Sequence, residues 1–201
     1  MSGAQIHPTA IVGAGAELAA DISIDAYTII GSRVRLGVGT IVGPHVVIEG
    51  NTTIGARNRI FQFASIGAEP QDLKYHGEDS ALIIGDDNRI REFCTLQPGT
   101  EGGGMLTRVG SGNLLMNYSH IAHDCLLGDR IVIANGVQLG GQLPTCAVAK
   151  LDGRQSSTTL PDHQLFGVHK LAYELIQGLS RRLTLRRVAF PVGNEITKVK
   201  R

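Results

Sequence analysis

The sequence predicts an all-β fold, a three-sided solenoid of short parallel strands, and three observations support this. Aliphatic residues recur at every sixth position, glycine makes up 26 of the 201 residues, and aromatic residues make up only 4%. A period of six matches neither an α-helix nor an isolated strand. It fits a prism in which three hexapeptides complete one coil of about 18 residues, with glycine at its many turns.

The aliphatic repeat extends through 20 hexapeptides. The first eleven are uninterrupted, and if about a quarter of residues are Ile, Leu or Val, such a run arises by chance roughly once in a few million. Each of these side chains, called a rung here, is predicted to point inward and to stack on its equivalents one coil away. The rungs are Ile6, Val12, Leu18, Ile24, Ile30, Leu36, Val42, Ile48, Ile54, Ile60 and Ile66, then Ile84, Ile90 and Leu96, then Val109, Leu115, Ile121, Leu127, Ile133 and Leu139.

Two polar segments, 67–83 and 97–108, interrupt the rungs and are predicted to be loops that project from the wall of the prism. Loops on a rigid scaffold are common places for binding groups. After the last rung the six-residue period disappears, and an amphipathic stripe predicts a helix near 162–190. We therefore expect a hexapeptide-repeat domain over residues 1–141 and a short helical or irregular tail over residues 142–201.

Charge divides the chain at the same place. Residues 1–141 contain 9 Lys and Arg against 14 Asp and Glu, a net −5, whereas residues 142–201 contain 10 against 4, a net +6. Cys94, Cys125 and Cys146 have no metal-like spacing, which favours reduced thiols in a cytoplasmic protein. No signal-peptide pattern and no apolar run of about 18 residues is present, so we expect neither export nor a membrane span, and no nucleic-acid partner.

The candidate catalytic groups lie in the run His120-Ile121-Ala122-His123-Asp124. Because Ile121 is a rung and faces the interior, the two histidines are predicted to lie at or near the outer wall. An imidazole can take a proton from an alcohol near pH 7, and a nearby carboxylate can hold its tautomer and stabilise its cation. The run therefore predicts a general base, and two solvated surface histidines are the simpler alternative.

Six further motifs accompany this run along the repeat domain. Together they resemble the acyl-carrier-protein-dependent UDP-N-acetylglucosamine O-acyltransferases, the hexapeptide-repeat family that begins lipid A biosynthesis. The resemblance implies a left-handed parallel β-helix, a homotrimer, and acyl carrier protein and UDP-N-acetylglucosamine as partners, with no cofactor and no metal. The motifs are Ile6-His7-Pro8-Thr9-Ala10, Phe61-Gln62-Phe63-Ala64-Ser65-Ile66-Gly67, Gln71-Asp72-Leu73-Lys74-Tyr75, the run from Gly85 to Glu92, Gly99-Thr100 with Gly102-Gly103-Gly104, and Asn113-Leu114-Leu115-Met116.

The resemblance implies a catalytic role for three residues. His123 is expected to be the general base that removes the proton from the glucosamine 3-hydroxyl, and Asp124 is expected to support its imidazole. The 3-oxygen then attacks the thioester of the acylated carrier protein. His120 is expected to line the acyl or sugar site.

Four further residues are expected to bind substrate by the same resemblance. Gln71, Asp72 and Lys74 are expected to contact the nucleotide sugar, and a lysine near a pyrophosphate is electrostatically sensible. Gly141 falls where the family has a glycine that limits acyl length and donates a backbone N–H to the oxyanion. The simpler alternatives are an exposed ion pair for Asp72 and Lys74 and an ordinary turn for Gly141.

The resemblance stops after Gly141. The family continues with a histidine and several more coils, whereas this chain has Gln142 and a basic tail. The chain is therefore expected to be a C-terminally truncated or divergent member. A catalytically impaired remnant of the enzyme is the alternative.

Other hexapeptide-repeat proteins offer three rival functions. The γ-type carbonic anhydrases hold zinc with three histidines, and His120 and His123 with either His45 or His76 could form such a set. A sister family N-acylates UDP-amino sugars but carries a uridine-binding domain ahead of its coils, for which a first rung at Ile6 leaves no room. CoA-dependent sugar acetyltransferases lack the motifs of the first loop.

Overall fold

Twenty short strands and the corners between them make up the fold. The structure is a computed structural model and describes residues 3–141. Every strand ends on a rung, so the predicted repeat is confirmed at all 20 positions. The helix predicted near 162–190 lies outside the described residues. Within them, no helix has the length and apolar character needed to cross a bilayer.

The strands are two residues long except for three four-residue strands in one sheet. A short 3-10 turn over Glu101–Gly103 separates β14 from β15. The strands are β1 Gln5–Ile6, β2 Ile11–Val12, β3 Glu17–Leu18, β4 Ser23–Ile24, β5 Ile29–Ile30, β6 Arg35–Leu36, β7 Ile41–Val42, β8 Val47–Ile48, β9 Asn51–Ile54, β10 Arg59–Ile60, β11 Ser65–Ile66, β12 Ala81–Ile84, β13 Arg89–Ile90, β14 Thr95–Leu96, β15 Leu106–Val109, β16 Leu114–Leu115, β17 His120–Ile121, β18 Leu126–Leu127, β19 Val132–Ile133 and β20 Gln138–Leu139.

Every third strand pairs in parallel, which builds three sheets and a three-sided prism. Sheet A has the order β1-β4-β7-β10-β13-β16-β19, sheet B has β2-β5-β8-β11-β14-β17-β20, and sheet C has β18-β15-β12-β9-β6-β3. The register places rung on rung, since Ile66 pairs with Ile48 on one side and with Leu96 on the other. The chain is therefore a parallel β-helix.

The rungs fill the interior of the prism. All but the first three are buried, and Ile121 is 0% exposed, so the two histidines that flank it in sequence are kept at the wall as predicted. Each such side chain contributes about 1.5–3 kcal/mol on burial. The first coil differs, because Ile6 is 42% exposed and Val12 and Leu18 are only partly buried.

Both loops leave the prism at the corner between sheets B and C. The strands that follow them begin at Ala81 and Leu106, inside the predicted loop segments 67–83 and 97–108, because both strands are four residues long. Pairing continues across each loop in register. Rungs 30 positions apart pair across the first loop, and rungs 25 apart pair across the second, where 18 is the spacing elsewhere.

A column of stacked rings follows the corner between sheets A and B. Five side chains, one from each successive coil, stack with ring centroids 4.8–5.4 Å apart. All five residues have left-handed backbones, with φ between 55° and 64°. That conformation costs a non-glycine residue roughly 1–2 kcal/mol, and stacking offsets part of it. The column consists of Tyr27, His45, Phe63, Phe93 and Tyr118.

Candidate active site

His123 and Asp124 form the corner that follows β17, between sheets B and C, called the His123 corner here. The His123 side chain is 14% exposed and the Asp124 side chain is 0% exposed. Nδ1 of the imidazole lies 2.7 Å from Oδ2 of the carboxylate. Because an ionised carboxylate only accepts hydrogen bonds, Nδ1 carries the proton and Nε2 is left to accept one.

The imidazole borders a groove of about 480 Å³ beside the first loop. Oδ2 of Asp72 lies 4.0 Å from Nε2 of His123. One hydroxyl oxygen in that gap can make hydrogen-bond contacts of about 2.8 Å to both atoms. The fold thus brings five residues predicted from the sequence to one groove, which are Gln71, Asp72, Lys74, His123 and Gly141.

The first loop holds Asp72 in place through a local turn. The Lys74 N–H donates to Oδ1 of Asp72 at 3.0 Å, and the Tyr75 N–H donates to the Asp72 carbonyl oxygen at 3.0 Å. Asp72 therefore turns its other carboxylate oxygen toward His123. This self-contained turn follows from the preference of aspartate for bonding backbone N–H groups two residues on.

The first loop also rests on the second loop through two side chains that the sequence analysis did not single out. Gln97 accepts the Gln71 N–H at Oε1 and donates from Nε2 to the Glu69 carbonyl oxygen. Glu78 accepts the Glu101 N–H at 3.0 Å and the His76 N–H at 2.8 Å. Hydrogen bonds from Glu101 and His76 lower the pKa of the Glu78 carboxyl group. No motif marks such contacts between loops.

Gly141 packs against the edge of the imidazole. A Cβ atom at this position would lie 2.3 Å from Cε1 and 2.4 Å from Nε2 of His123. Contacts shorter than about 3 Å between such atoms are not sustained without displacement, so a larger residue here would move the ring. The predicted glycine therefore has a steric reason to be glycine.

His120 occupies a different surface from the other predicted residues. It lies on β17 in sheet B, and its Nδ1 lies 2.6 Å from Oγ1 of Thr95. It does not border the groove beside the first loop. Burial lowers the pKa of His120 below its usual value, and the neighbouring His123 lowers it further.

We expect His120 to make the fold less stable in mild acid. In the unfolded chain this imidazole takes up its proton near pH 6.5, but the lowered pKa in the fold postpones protonation to lower pH. The unfolded state therefore binds more protons as the pH falls below about 6.5, and the free energy of unfolding decreases. His120→Gln should reduce this slope, measured by urea unfolding between pH 7 and pH 5. An unchanged slope would contradict the assignment.

The zinc set considered from the sequence does not assemble within the described residues. His45 is stacked in the aromatic column at another corner, and Nδ1 of His120 is engaged by Thr95. Within residues 3–141, no three His, Cys, Asp or Glu side chains lie close enough together to hold a metal ion.

Comparisons with known proteins agree on one kind of relative. A family model described as bacterial transferase hexapeptide (six repeats) matches residues 106–141. Two curated proteins, each named acyl-[acyl-carrier-protein]–UDP-N-acetylglucosamine O-acyltransferase, are similar. That from Syntrophobacter fumaroxidans is 53% identical over 68% of this chain and 53% of its own length. That from a Sulfurovum species is 57% identical over 64% of this chain and 50% of its own.

Solved structures show the same similarity. A UDP-N-acetylglucosamine acyltransferase from Campylobacter jejuni matches with a TM-score of 0.66 at 40% identity, over 68% of this chain and 53% of that one. The enzyme from Francisella novicida matches with a TM-score of 0.67 at 43% identity, over 68% and 50%. The prediction of a left-handed parallel β-helix is confirmed. The chain spans about half the length of the relatives that it matches.

Proposed function

Over its β-helix the chain belongs to the family of acyl-[acyl-carrier-protein]–UDP-N-acetylglucosamine O-acyltransferases, and we propose that it catalyses this transfer. The donor is a 3-hydroxyacyl or acyl chain on acyl carrier protein, and the acceptor is the 3-hydroxyl of UDP-N-acetylglucosamine. This is the first step of lipid A biosynthesis. The observation that supports it best is an imidazole with Nδ1 bonded to a buried carboxylate and Nε2 beside an open groove.

The proposed mechanism uses His123 as the proton carrier. Nε2 removes the proton from the sugar hydroxyl as its oxygen attacks the thioester carbonyl carbon. Asp124 stabilises the imidazolium that forms. A C–O bond replaces the C–S bond when the tetrahedral intermediate collapses, and the departing thiolate takes the proton from His123. No proton or electron is gained or lost overall.

The groove supplies binding groups for this reaction. In our proposal Asp72 receives a hydrogen bond from the sugar, and the Lys74 ammonium faces the pyrophosphate of the nucleotide. Gln71 offers an amide to the sugar, and the Gly141 N–H is proposed as an oxyanion donor. His120 is proposed to line the acyl path on the outer face of sheet B, outside the groove.

We also propose that the protein is a cytoplasmic homotrimer in which sheet B faces a neighbouring subunit. The outward residues of sheet B include no Asp, Glu, Lys or Arg along the described coils, whereas those of sheets A and C include arginines. An uncharged strip that is partly aliphatic is the kind of surface that subunit contacts cover. Its outward residues are Ile11, Ile29, Val47, Ser65, Thr95, His120 and Gln138.

Ile29→Asp should shift the protein from trimer to monomer, measured by sedimentation equilibrium. A carboxylate would be desolvated in the contact without a partner, which costs several kcal/mol. Ile41→Asp is the matched control, because Ile41 is similarly exposed (48% against 42%) but lies on sheet A. Dissociation by both variants, or by the control alone, would argue against sheet B as the contact.

A transfer assay tests the proposed function. Purified full chain is incubated with 3-hydroxyacyl carrier protein and UDP-N-acetylglucosamine, and the acylated nucleotide sugar is measured by mass spectrometry. Product with the carrier-protein thioester supports the proposal, whereas product only with the CoA thioester points to a CoA-dependent transferase. Stoichiometric zinc without transfer would favour the carbonic-anhydrase-like alternative. No product and no zinc would indicate a non-catalytic remnant.

A further inference from the structure

The second loop holds the buried carboxylate of the His123 corner from above. Thr100 contacts both oxygens of Asp124, since its N–H donates to Oδ1 at 2.8 Å and its Oγ1–H donates to Oδ2 at 2.6 Å. Oδ2 is the same oxygen that His123 bonds. Thr100 is itself buried, so these hydrogen bonds do not compete with solvent. One residue thus fixes the plane of the carboxylate.

The backbone of Asp124 is held as well. Its φ is +61°, a left-handed conformation that is uncommon for residues other than glycine. The Asp124 N–H donates to Oγ1 of Thr107 on β15 at 2.7 Å. This turn accompanies a hydrogen bond between the side chains of two consecutive residues, His123 and Asp124. Two threonines that flank the second loop therefore define both the main chain and the side chain of Asp124.

Gly103 closes the second loop over the same carboxylate. A Cβ atom on Gly103 would lie 2.0 Å from both Cγ and Oδ2 of Asp124. No left-handed φ is recorded for Gly103, unlike its neighbour Gly104, so its need for glycine comes from this close approach. The loop excludes water from Asp124 by packing backbone directly against it.

From these contacts we propose that Thr100 is a positioning residue for the reaction, acting on His123 through Asp124. Its two donors hold the carboxylate where it binds the Nδ1 proton, and this keeps Nε2 unprotonated and directed to the groove. The second loop is thus a clamp on the carboxylate and contacts no substrate in this role. The proposal rests on the proposed function of His123, but the state of its imidazole can be observed without turnover.

The decisive measurement is the imidazole ¹⁵N spectrum of His123 in the full chain at a pH where the ring is neutral. The wild type should show one tautomer, protonated at Nδ1. Thr100→Val removes the hydroxyl at similar volume and should shift the spectrum toward that of Asp124→Ala. Thr100→Ser retains the hydroxyl and should resemble the wild type. Glu101→Ala, an exposed change in the same turn, is the control for a general disturbance of the loop.

Kinetics provides a second readout. Thr100→Val should lower kcat about tenfold to 100-fold with KM within about twofold, since a hydrogen bond to a charged group is lost. In an Asp124→Ala background the same change should have no further effect. Gly103→Ala, which displaces the carboxylate from the other side, should reproduce the tautomer shift if Thr100→Val does not fold.

The outcomes separate this inference from the proposed function. A wild-type tautomer in folded Thr100→Val would overturn the positioning role, and so would an undiminished effect in the Asp124→Ala background. A tautomer shift in a wild-type chain that makes no product would support the clamp and reject the proposed reaction.

Discussion

Replacing His123 with alanine should lower kcat for acyl transfer by about 10²–10⁴-fold, the range that a general base contributes. The imidazole is the group whose Nε2 lies beside the groove, within 4.0 Å of Asp72, and no other described histidine borders it. KM for UDP-N-acetylglucosamine should change little, because the proton transfer matters in the transition state rather than in binding. Initial rates with acyl carrier protein thioester measure both constants.

The control for this variant is His7→Ala, which removes an imidazole from an exposed corner of the first coil. It should retain the wild-type rate. If His123→Ala and His7→Ala turn over equally fast, His123 is not the base and the mechanism is wrong. Circular dichroism of both variants checks that the β-helix is intact.

Replacing Gly67 with alanine should lower the free energy of unfolding by about 3–5 kcal/mol. Gly67 is where the first loop leaves the prism, with φ +82°, and a Cβ atom there would lie 2.0 Å from the Glu49 carbonyl oxygen and 2.2 Å from Oγ1 of Thr52. Those two atoms are joined by a hydrogen bond that would also be displaced. Left-handed strain and overpacking add about 1–2 and 1–3 kcal/mol. Urea unfolding measures the change.

Gly77→Ala separates the two causes. Gly77 has a similar φ of +88°, but no atom lies within 4 Å of the position that its Cβ would take. Only the backbone strain applies, so its cost should be about 1–2 kcal/mol. Equal losses in the two variants would mean that the contact with the carbonyl group is not what requires glycine at position 67.

The repeat could be predicted from sequence because one inward position recurs in each hexapeptide. Each rung must be aliphatic to fill the prism, and this demand leaves the same signal at Ile6 as at Leu139. The site could be located for a related reason, since Ile121 points inward and so determines where its neighbours lie. The left-handed sense of the coil came only from the family resemblance.

The clamp on Asp124 could not be predicted in the same way. Thr100 and Asp124 are 24 positions apart, and no periodic pattern relates a loop residue to a corner residue. The contact depends on how the second loop folds back, which a six-residue period does not encode. The support that Gln97 gives to the first loop was missed for the same reason.

The aromatic column, by contrast, left a signal that could have been found. Tyr27, His45 and Phe63 are each 18 residues apart, one coil, and the spacing to Phe93 is the same 30 residues that separates the rungs across the first loop. Scanning at the period of a whole coil, rather than of one strand, would have shown it.

Uninterrupted pairing across coils of unequal length has an evolutionary consequence. Since coils of 18, 25 and 30 residues share one strand ladder, a corner can gain or lose a segment while the framework keeps its alignment. Inserts at the His123 corner are therefore interchangeable parts. Selection can alter what the groove accepts by exchanging them, and the architecture that carries the imidazole is inherited unchanged.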